Sequence, residues 1–341
     1  MNFQVPFADL RHNLGPVPTK QTTIDAQLEA IRRGRSAVSD AAAVAELGPA
    51  LTHRHWLVVS QAATVAGERA LNGLVPALRG VFARFVENGA KVDPGCRAKE
   101  AALTALDRLE LIDPEPFLAA IRYEQPEPVA GGRIDTAGGV RQRALFALYR
   151  VCHPDAPSYA GELLADPNPQ VRAGVVHAVS HYGDVSSAGL LVHKLCAGDD
   201  DPVVVSECAA ALLAVSAAFA LPLVTRWLGH ADSARREVAA LALGQSRHDP
   251  AVKALIEWTE ASTWDRDVEL GLRALGLGRS ERAREYLLGI VASGAPARAQ
   301  HAVSALAAHS YDERLRERVA AAAAKNPRAR LETLIARVFA R

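Results

Sequence analysis

The sequence has few cysteines, few aromatic residues and almost no net charge. Its four cysteines lie far apart, without a CxxC pair or zinc-ligand spacing, so we expect free thiols in a reducing, cytoplasmic setting. The net charge of +1 argues against a dedicated nucleic-acid binder, which usually carries a strong basic excess. Aromatic residues make up 5% of the chain and hydrophobic residues 49%, so the core is predicted to consist mostly of small aliphatic side chains.

Signals for strands, membrane spans and secretion are scarce as well. No alternating β-branched run is bounded by hairpin turns. The longest uncharged run, residues 208–225, contains Ser216 and Pro222, and it predicts two buried helices rather than a membrane span. The N-terminus lacks a basic segment followed by a long apolar one, so no secretory signal is predicted. Arginine far outnumbers lysine and alanine is abundant, a composition typical of bacteria with GC-rich genomes.

What the sequence does contain is a recurring helical unit. Within residues 166–183 an Asp-Pro-Asn-Pro turn precedes a helix whose apolar positions Val171, Val175, Ala178 and Val179 form one stripe. A glycine then ends the helix. Related segments begin 29 to 34 residues apart at Val140, Val171, Val205, Ala234, Arg266 and Ala297, of which the Arg266 segment fits less well; Ala98 begins a further copy and His55 a more divergent one. Such a period predicts tandem helix pairs.

A second regularity links an acid in the turn to a base six residues later, in the first turn of the following helix. It occurs at three places, where we predict structural ion pairs within a repeat or to the acid of the neighbouring repeat: Asp93 with Lys99, Asp135 with Arg141, and Asp166 with Arg172.

These features resemble the HEAT-repeat family, in particular the short bacterial HEAT-like repeats also found in phycobilin lyases. The resemblance covers about residues 50–310 and rests on Val140-Arg141 and Val171-Arg172 after a turn acid, and on Leu243-Gly244 and Leu275-Gly276 at helix ends. It implies an all-α, right-handed α-solenoid (superhelix) of armadillo-like type, with the Val-Arg helix of each pair on the concave face. Ser206 and Asp267 replace the family arginine, which predicts breaks in the Asp/Arg ladder.

The predicted domain organisation is an extended N-terminal arm over residues 1–21 and a single solenoid over residues 22–341. A loop insertion at residues 123–139 lengthens one repeat, and its two prolines and four glycines exclude regular helix. Insertions in a solenoid project from one edge and often bind ligands. Residues from about 312 to 341 are predicted to form a basic pair of capping helices.

Candidate partner-binding residues are polar side chains that the repeat pattern does not explain or leaves exposed: Gln125, Glu127, Arg133, Arg143, Arg150, His177 and His181. The two histidines have the i, i+4 spacing of zinc sites, but no HExxH acid accompanies them, so we predict no metal site. No nucleophile motif is present, and neither a catalytic residue nor a cofactor is predicted.

The function predicted from these features is a non-enzymatic scaffold that binds a protein or peptide on its concave face and on the 123–139 insertion. The alternative is a HEAT-like enzyme, either a DNA-base glycosylase or a bilin lyase subunit. For the glycosylase, Trp258 and Trp264 lie near Asp265 and Asp267, yet Arg266 and Arg273 are the only local cations.

Overall fold

The computed structural model describes residues 20–182 and 187–339. Most of the predicted N-terminal arm, residues 1–21, lies outside the described residues, and the first helix begins at Lys20. The chain divides into two compact units between His153 and Pro154. The single solenoid over residues 22–341 stays a prediction.

The first unit contains eight α-helices and one β-hairpin among its described residues. Helices α1, α3, α6 and α8 pack successively against one another, α2 and α4 pack beside them, and α7 contacts α8. The bounds are α1 (Lys20–Ser36), α2 (Asp40–Leu51), α3 (Trp56–Glu68), α4 (Val75–Arg84), α5 (Gly89–Val92), α6 (Arg97–Arg108), α7 (Glu115–Leu118), β1 (Pro126–Val129), β2 (Gly132–Asp135) and α8 (Gly138–Arg150).

The second unit contains twelve α-helices among its described residues, and nine of them form two layers. One layer is the series α10, α12, α14, α16 and α18, and the other is α13, α15, α17 and α19. The bounds are α9 (Ala156–Leu163), α10 (Pro169–Tyr182), α11 (Ala188–Ala197), α12 (Pro202–Val215), α13 (Ala217–Trp227), α14 (Ser233–Gln245), α15 (Asp249–Ala261), α16 (Asp265–Leu277), α17 (Glu281–Ser293), α18 (Pro296–Leu306), α19 (Glu313–Ala323) and α20 (Glu332–Val338). The predicted all-α architecture of stacked helix pairs is confirmed.

Helix starts follow residues suited to cap them. Side-chain atoms of five such residues accept a hydrogen bond from a backbone N–H two or three positions later: Ser39, Asp201, Asp232, Ser280 and Asp312. The uncharged run 208–225 falls in α12 and α13, which are separated at Ser216. None of the described helices is both long enough and apolar enough to cross a membrane.

Glycines allow successive helices of the second unit to approach closely. A Cβ atom on Gly244 of α14 would lie 2.2 Å from the carbonyl oxygen of Ala274 in α16. A Cβ atom on Gly276 of α16 would lie 2.4 Å from the carbonyl oxygen of Ala305 in α18. The Leu-Gly pattern therefore marks positions where only glycine leaves room for the backbone of the next repeat.

Two arginines of the second unit, the buried Arg172 and the half-buried Arg236, each connect a turn to the following repeat. Arg172 donates from Nη1 to the carbonyl oxygen of Asp166 at 2.7 Å, and from Nη2 to Asp199 Oδ1 of the following turn at 2.6 Å. Arg236 donates from Nη1 to the carbonyl oxygen of His230 at 2.8 Å, and from Nε to Asp267 Oδ1 at 3.3 Å. Asp267 therefore continues the ladder from the preceding repeat, because its carboxylate accepts a hydrogen bond from Arg236.

The insertion at residues 123–139 differs from the predicted loop because it contains the hairpin of β1 and β2. The strands are antiparallel and four residues long, and residues 130–131 connect them. Two prolines in β1 and a glycine at the start of β2 hide the strand signal in the sequence, since both residue types are depleted in strands.

Candidate interaction surface

A buried ion pair lies beneath the hairpin. Asp93 and Lys99 are both fully buried, and Lys99 Nζ lies 2.9 Å from Asp93 Oδ2. Lys99 Nζ also donates to the carbonyl oxygen of Phe85 at 3.0 Å. Asp93 Oδ1 accepts the backbone N–H of Ala98 at 2.9 Å, at the start of α6. Because both charges are hydrogen-bonded on several sides, the pair forms a fixed base for the segment above it.

Gln125 joins the hairpin to this base. Its Nε2 donates to the carbonyl oxygen of Asp93 at 2.9 Å and to Glu127 Oε1 at 2.7 Å, and its Oε1 accepts the hydroxyl of Tyr123 at 2.8 Å. The side chain is only 3% exposed. Gln125, predicted as a partner-binding residue, is therefore placed in the frame of the hairpin rather than on its surface.

Glu127 is bound to the same base. Its Oε1 accepts the backbone N–H of Gly95 at 2.6 Å and the hydroxyl of Thr136 at 2.8 Å. Burial alone would raise the pKa of Glu127, but the hydrogen bonds from Gly95, Gln125 and Thr136 outweigh it and the pKa is lowered. Glu127 is thus held as a carboxylate that ties β1 to the start of α6.

Asp135 fixes the other end of the hairpin. Its Oδ1 accepts the backbone N–H groups of Gln125 at 2.8 Å and Ala137 at 3.0 Å. Arg141 Nη1 lies 2.6 Å from Asp135 Oδ2 and donates to the carbonyl oxygen of Tyr123 at 2.8 Å. Burial opposes ionisation of Asp135, yet these hydrogen bonds and the Arg141 charge lower its pKa. Both strands of the hairpin are therefore anchored at their base.

The hairpin exposes two large apolar side chains. Val129 is 43% exposed and Ile134 is 52% exposed. In the strand register Val129 is paired with Gly132 and Glu127 with Ile134, so Val129 and Ile134 share one face. Arg133, which precedes Ile134 in β2, is also exposed, and its side chain points to the opposite face of the hairpin. We call Val129, Arg133 and Ile134 the hairpin surface.

The remaining predicted site residues lie on two different units. In the first unit Arg143 of α8 is exposed, whereas Arg150 donates from Nε to Asp107 Oδ1 at 2.6 Å and from Nη2 to the carbonyl oxygen of Leu111 at 2.8 Å. Arg150 therefore connects α8 with the end of α6.

In the second unit both predicted histidines of α10 are exposed. His177 Nε2 lies 3.4 Å from Glu207 Oε1 on α12, and the ring of His181 packs edge-on against Tyr182 at 4.8 Å between centroids. Among the described residues, no group of three or more His, Cys, Asp or Glu side chains is arranged to hold a metal ion.

The tryptophans considered for the glycosylase alternative line a groove of about 620 Å³ in the second unit. Trp264 is 75% exposed, and Trp258, Arg236 and Asp267 line the same groove. Asp267 accepts Arg236 Nε at 3.3 Å, so this carboxylate links α14 to α16. This bond to Arg236 accounts for Asp267 as a structural residue of the ladder between repeats, without a catalytic role.

Sequence reasoning missed Val129 and Ile134, which are the exposed large aliphatic residues of the insertion. A signal was available, since Gly131-Gly132 is a hairpin-turn dipeptide with an apolar residue two positions away on either side. The four-residue strands are too short for their alternation to be distinguished from a polar loop.

Thiol reactivity provides a first test of the described burial in each of the two units. Burial raises the pKa of Cys96, beside Thr136, to about 11 and that of Cys208 to about 12, whereas Cys152 and Cys196 are exposed. At about pH 8 we expect Cys152 and Cys196 to react with a chromogenic disulfide reagent well before the other two, because the thiolate is the reactive form. Full, rapid labelling of all four cysteines in the folded protein would contradict the described burial.

Comparison with known proteins finds a repeat family over part of the chain. A family model of HEAT repeats matches residues 133–213, so the predicted HEAT resemblance is confirmed over these residues. No curated protein matches the sequence. Among solved structures, the complex of CpcE and CpcF of phycocyanin lyase from Nostoc sp. PCC7120 is 19% identical, with a TM-score of 0.35, covering 70% of this chain and 92% of that one. An engineered protein is 17% identical, with a TM-score of 0.37 and 90% of each chain covered.

Proposed function

We propose that this chain, whose residues 133–213 match a family model of HEAT repeats, is a non-enzymatic scaffold that binds a protein partner through the hairpin surface. One observation supports the proposal above all: a hairpin inserted into the helical array is anchored by a buried polar cluster, yet it presents Val129 and Ile134 to solvent. Internal packing does not account for these two side chains, whereas a partner that covers them would.

The energetics of the hairpin favour binding. Covering an exposed Val or Ile completely stabilises a complex by roughly 1.5–3 kcal/mol per side chain, and each is already partly covered here. The bonds made by Gln125, Glu127 and Asp135 order the hairpin before a partner arrives. Less conformational entropy is then lost on association, which leaves more of the contact energy as affinity.

Exposed residues of the Val-Arg helices are proposed as additional contacts. Arg143 in the first unit and His177 and His181 in the second project from these helices. We leave out Gln125, Glu127 and Arg150, because their polar atoms bind within the chain. The free thiols support a reducing compartment, and we propose a bacterial cytoplasm as the setting.

Quantitative affinity capture tests this function. The tagged wild-type chain, a Val129→Asp/Ile134→Asp variant and a Val38→Asp control are incubated with lysate of the native host, and bound proteins are compared by mass spectrometry. Val38 is fully exposed in the turn between α1 and α2, so it provides the same chemical change away from the hairpin. We expect one partner whose recovery falls at least about tenfold with the hairpin variant only. Identical recoveries in all three samples would refute the proposal.

A further inference from the structure

The two edges of the hairpin differ in their ability to accept another strand. Each hydrogen-bonded pair of an antiparallel ladder exchanges two N–H···O bonds, so a proline cannot belong to such a pair. Pro126 is paired with Asp135 and Pro128 with Arg133. These two must therefore be the non-hydrogen-bonded pairs of the ladder. The bond from Thr136 N–H to the carbonyl oxygen of Gln125, at 3.0 Å, continues the same alternation at the base.

This alternation determines which backbone groups face outward. On β1 the outward positions are Pro126 and Pro128, which have no N–H, so that edge is closed to strand addition. On β2 the outward positions are Arg133 and Asp135, whose N–H and C=O groups point away from β1. The sheet has two strands, and within residues 20–182 and 187–339 no third strand lies along β2.

We propose that the partner contributes an extended segment that pairs with the open edge of β2 as a third strand. This inference rests on the proposed function and specifies how the hairpin surface binds. An anchored edge whose donors and acceptors point outward is the template that strand addition requires, because main-chain hydrogen bonds supply affinity and side-chain positions supply specificity.

The side chains along β2 define the chemistry of that segment. Arg133 has no ion-pair partner among the described residues, and the residue directly opposite it on an added strand lies on the same face. An acidic residue there would pair with the guanidinium. The residues on either side of it would point to the face of Val129 and Ile134, where Gly132 has open space above its Cα. The segment should therefore read apolar–acidic–apolar.

A random-peptide library screened against the full-length chain tests this geometry. Peptides enriched on the wild-type chain should contain the apolar–acidic–apolar pattern. With Arg133→Pro, which removes one outward N–H without breaking a bond to β1, their affinity should fall at least about tenfold. With Arg133→Ala, which keeps the N–H, we expect a smaller loss of about threefold. Thermal unfolding of each variant verifies that the chain still folds.

The outcomes separate this inference from the proposed function. If Ile134→Asp abolishes peptide and partner binding while Arg133→Pro leaves both unchanged, the hairpin surface binds but strand addition is refuted. If neither variant affects the partner or the peptides, both proposals fail. If Arg133→Pro instead converts a dimer to a monomer in light scattering and no peptide binds, the edge is occupied by a second copy of the chain, which overturns the partner assignment.

Discussion

Replacing Lys99 with methionine is expected to lower the free energy of unfolding of the first unit by about 3–5 kcal/mol. The substitution keeps most of the side-chain volume but removes the charge that lies 2.9 Å from Asp93 Oδ2. Asp93 would then be a fully buried carboxylate without a counter-ion, and the carbonyl oxygen of Phe85 would lose its donor. Urea denaturation followed by circular dichroism measures the loss.

A matched control and a double variant identify the cause. Lys91 is exposed in α5, so Lys91→Met makes the same chemical change without breaking a buried pair, and we expect a shift within about 0.5 kcal/mol. Adding Asp93→Asn to Lys99→Met should recover part of the stability, because it removes the uncompensated charge. Equal losses for Lys91→Met and Lys99→Met would show that the pair is not buried as described.

Replacing Gly244 with alanine should destabilise the second unit by about 1–3 kcal/mol. The added Cβ atom would lie 2.2 Å from the carbonyl oxygen of Ala274, so α14 and α16 would have to separate. Because a backbone atom is the obstacle, no rotation of a side chain relieves the contact. Thermal or urea unfolding of the two proteins provides the comparison.

The control for this substitution is expected to change the free energy of unfolding in the opposite direction. Gly289 lies inside α17, is exposed, and has open space around its Cα. Gly289→Ala should therefore raise the free energy of unfolding by roughly 0.5–1 kcal/mol, since alanine is the better helix former. If Gly244→Ala stabilised the protein in the same way, the close approach of α14 and α16 would be disproved.

The helix pairs could be predicted because their signals are local and repeated. The stripe of Val171, Val175 and Val179 requires only the 3.6-residue period of a helix, and it recurs at a nearly constant spacing. The six-residue spacing of Asp93 and Lys99 likewise indicated two charges at one turn, and they form a buried pair.

Features that depend on contacts between distant segments were less accessible. Asp267 stands where the repeat pattern has arginine. Only the packing of α14 against α16 shows that its carboxylate accepts a hydrogen bond from Arg236. Gln125 looked like a free polar group in a loop, because its partner Asp93 is 32 residues away. Arg150 was expected at the surface, yet its guanidinium donates hydrogen bonds to Asp107 of α6 and to the carbonyl oxygen of Leu111, which follows α6.

The most direct test of the scaffold proposal is the dissociation constant of the captured partner, measured by titration calorimetry on purified proteins. We expect Val129→Asp/Ile134→Asp to weaken binding at least about tenfold, which corresponds to about 1.4 kcal/mol, while Val38→Asp leaves the constant unchanged. An unchanged dissociation constant for the hairpin variant would contradict the assignment of Val129 and Ile134 as the partner-binding surface.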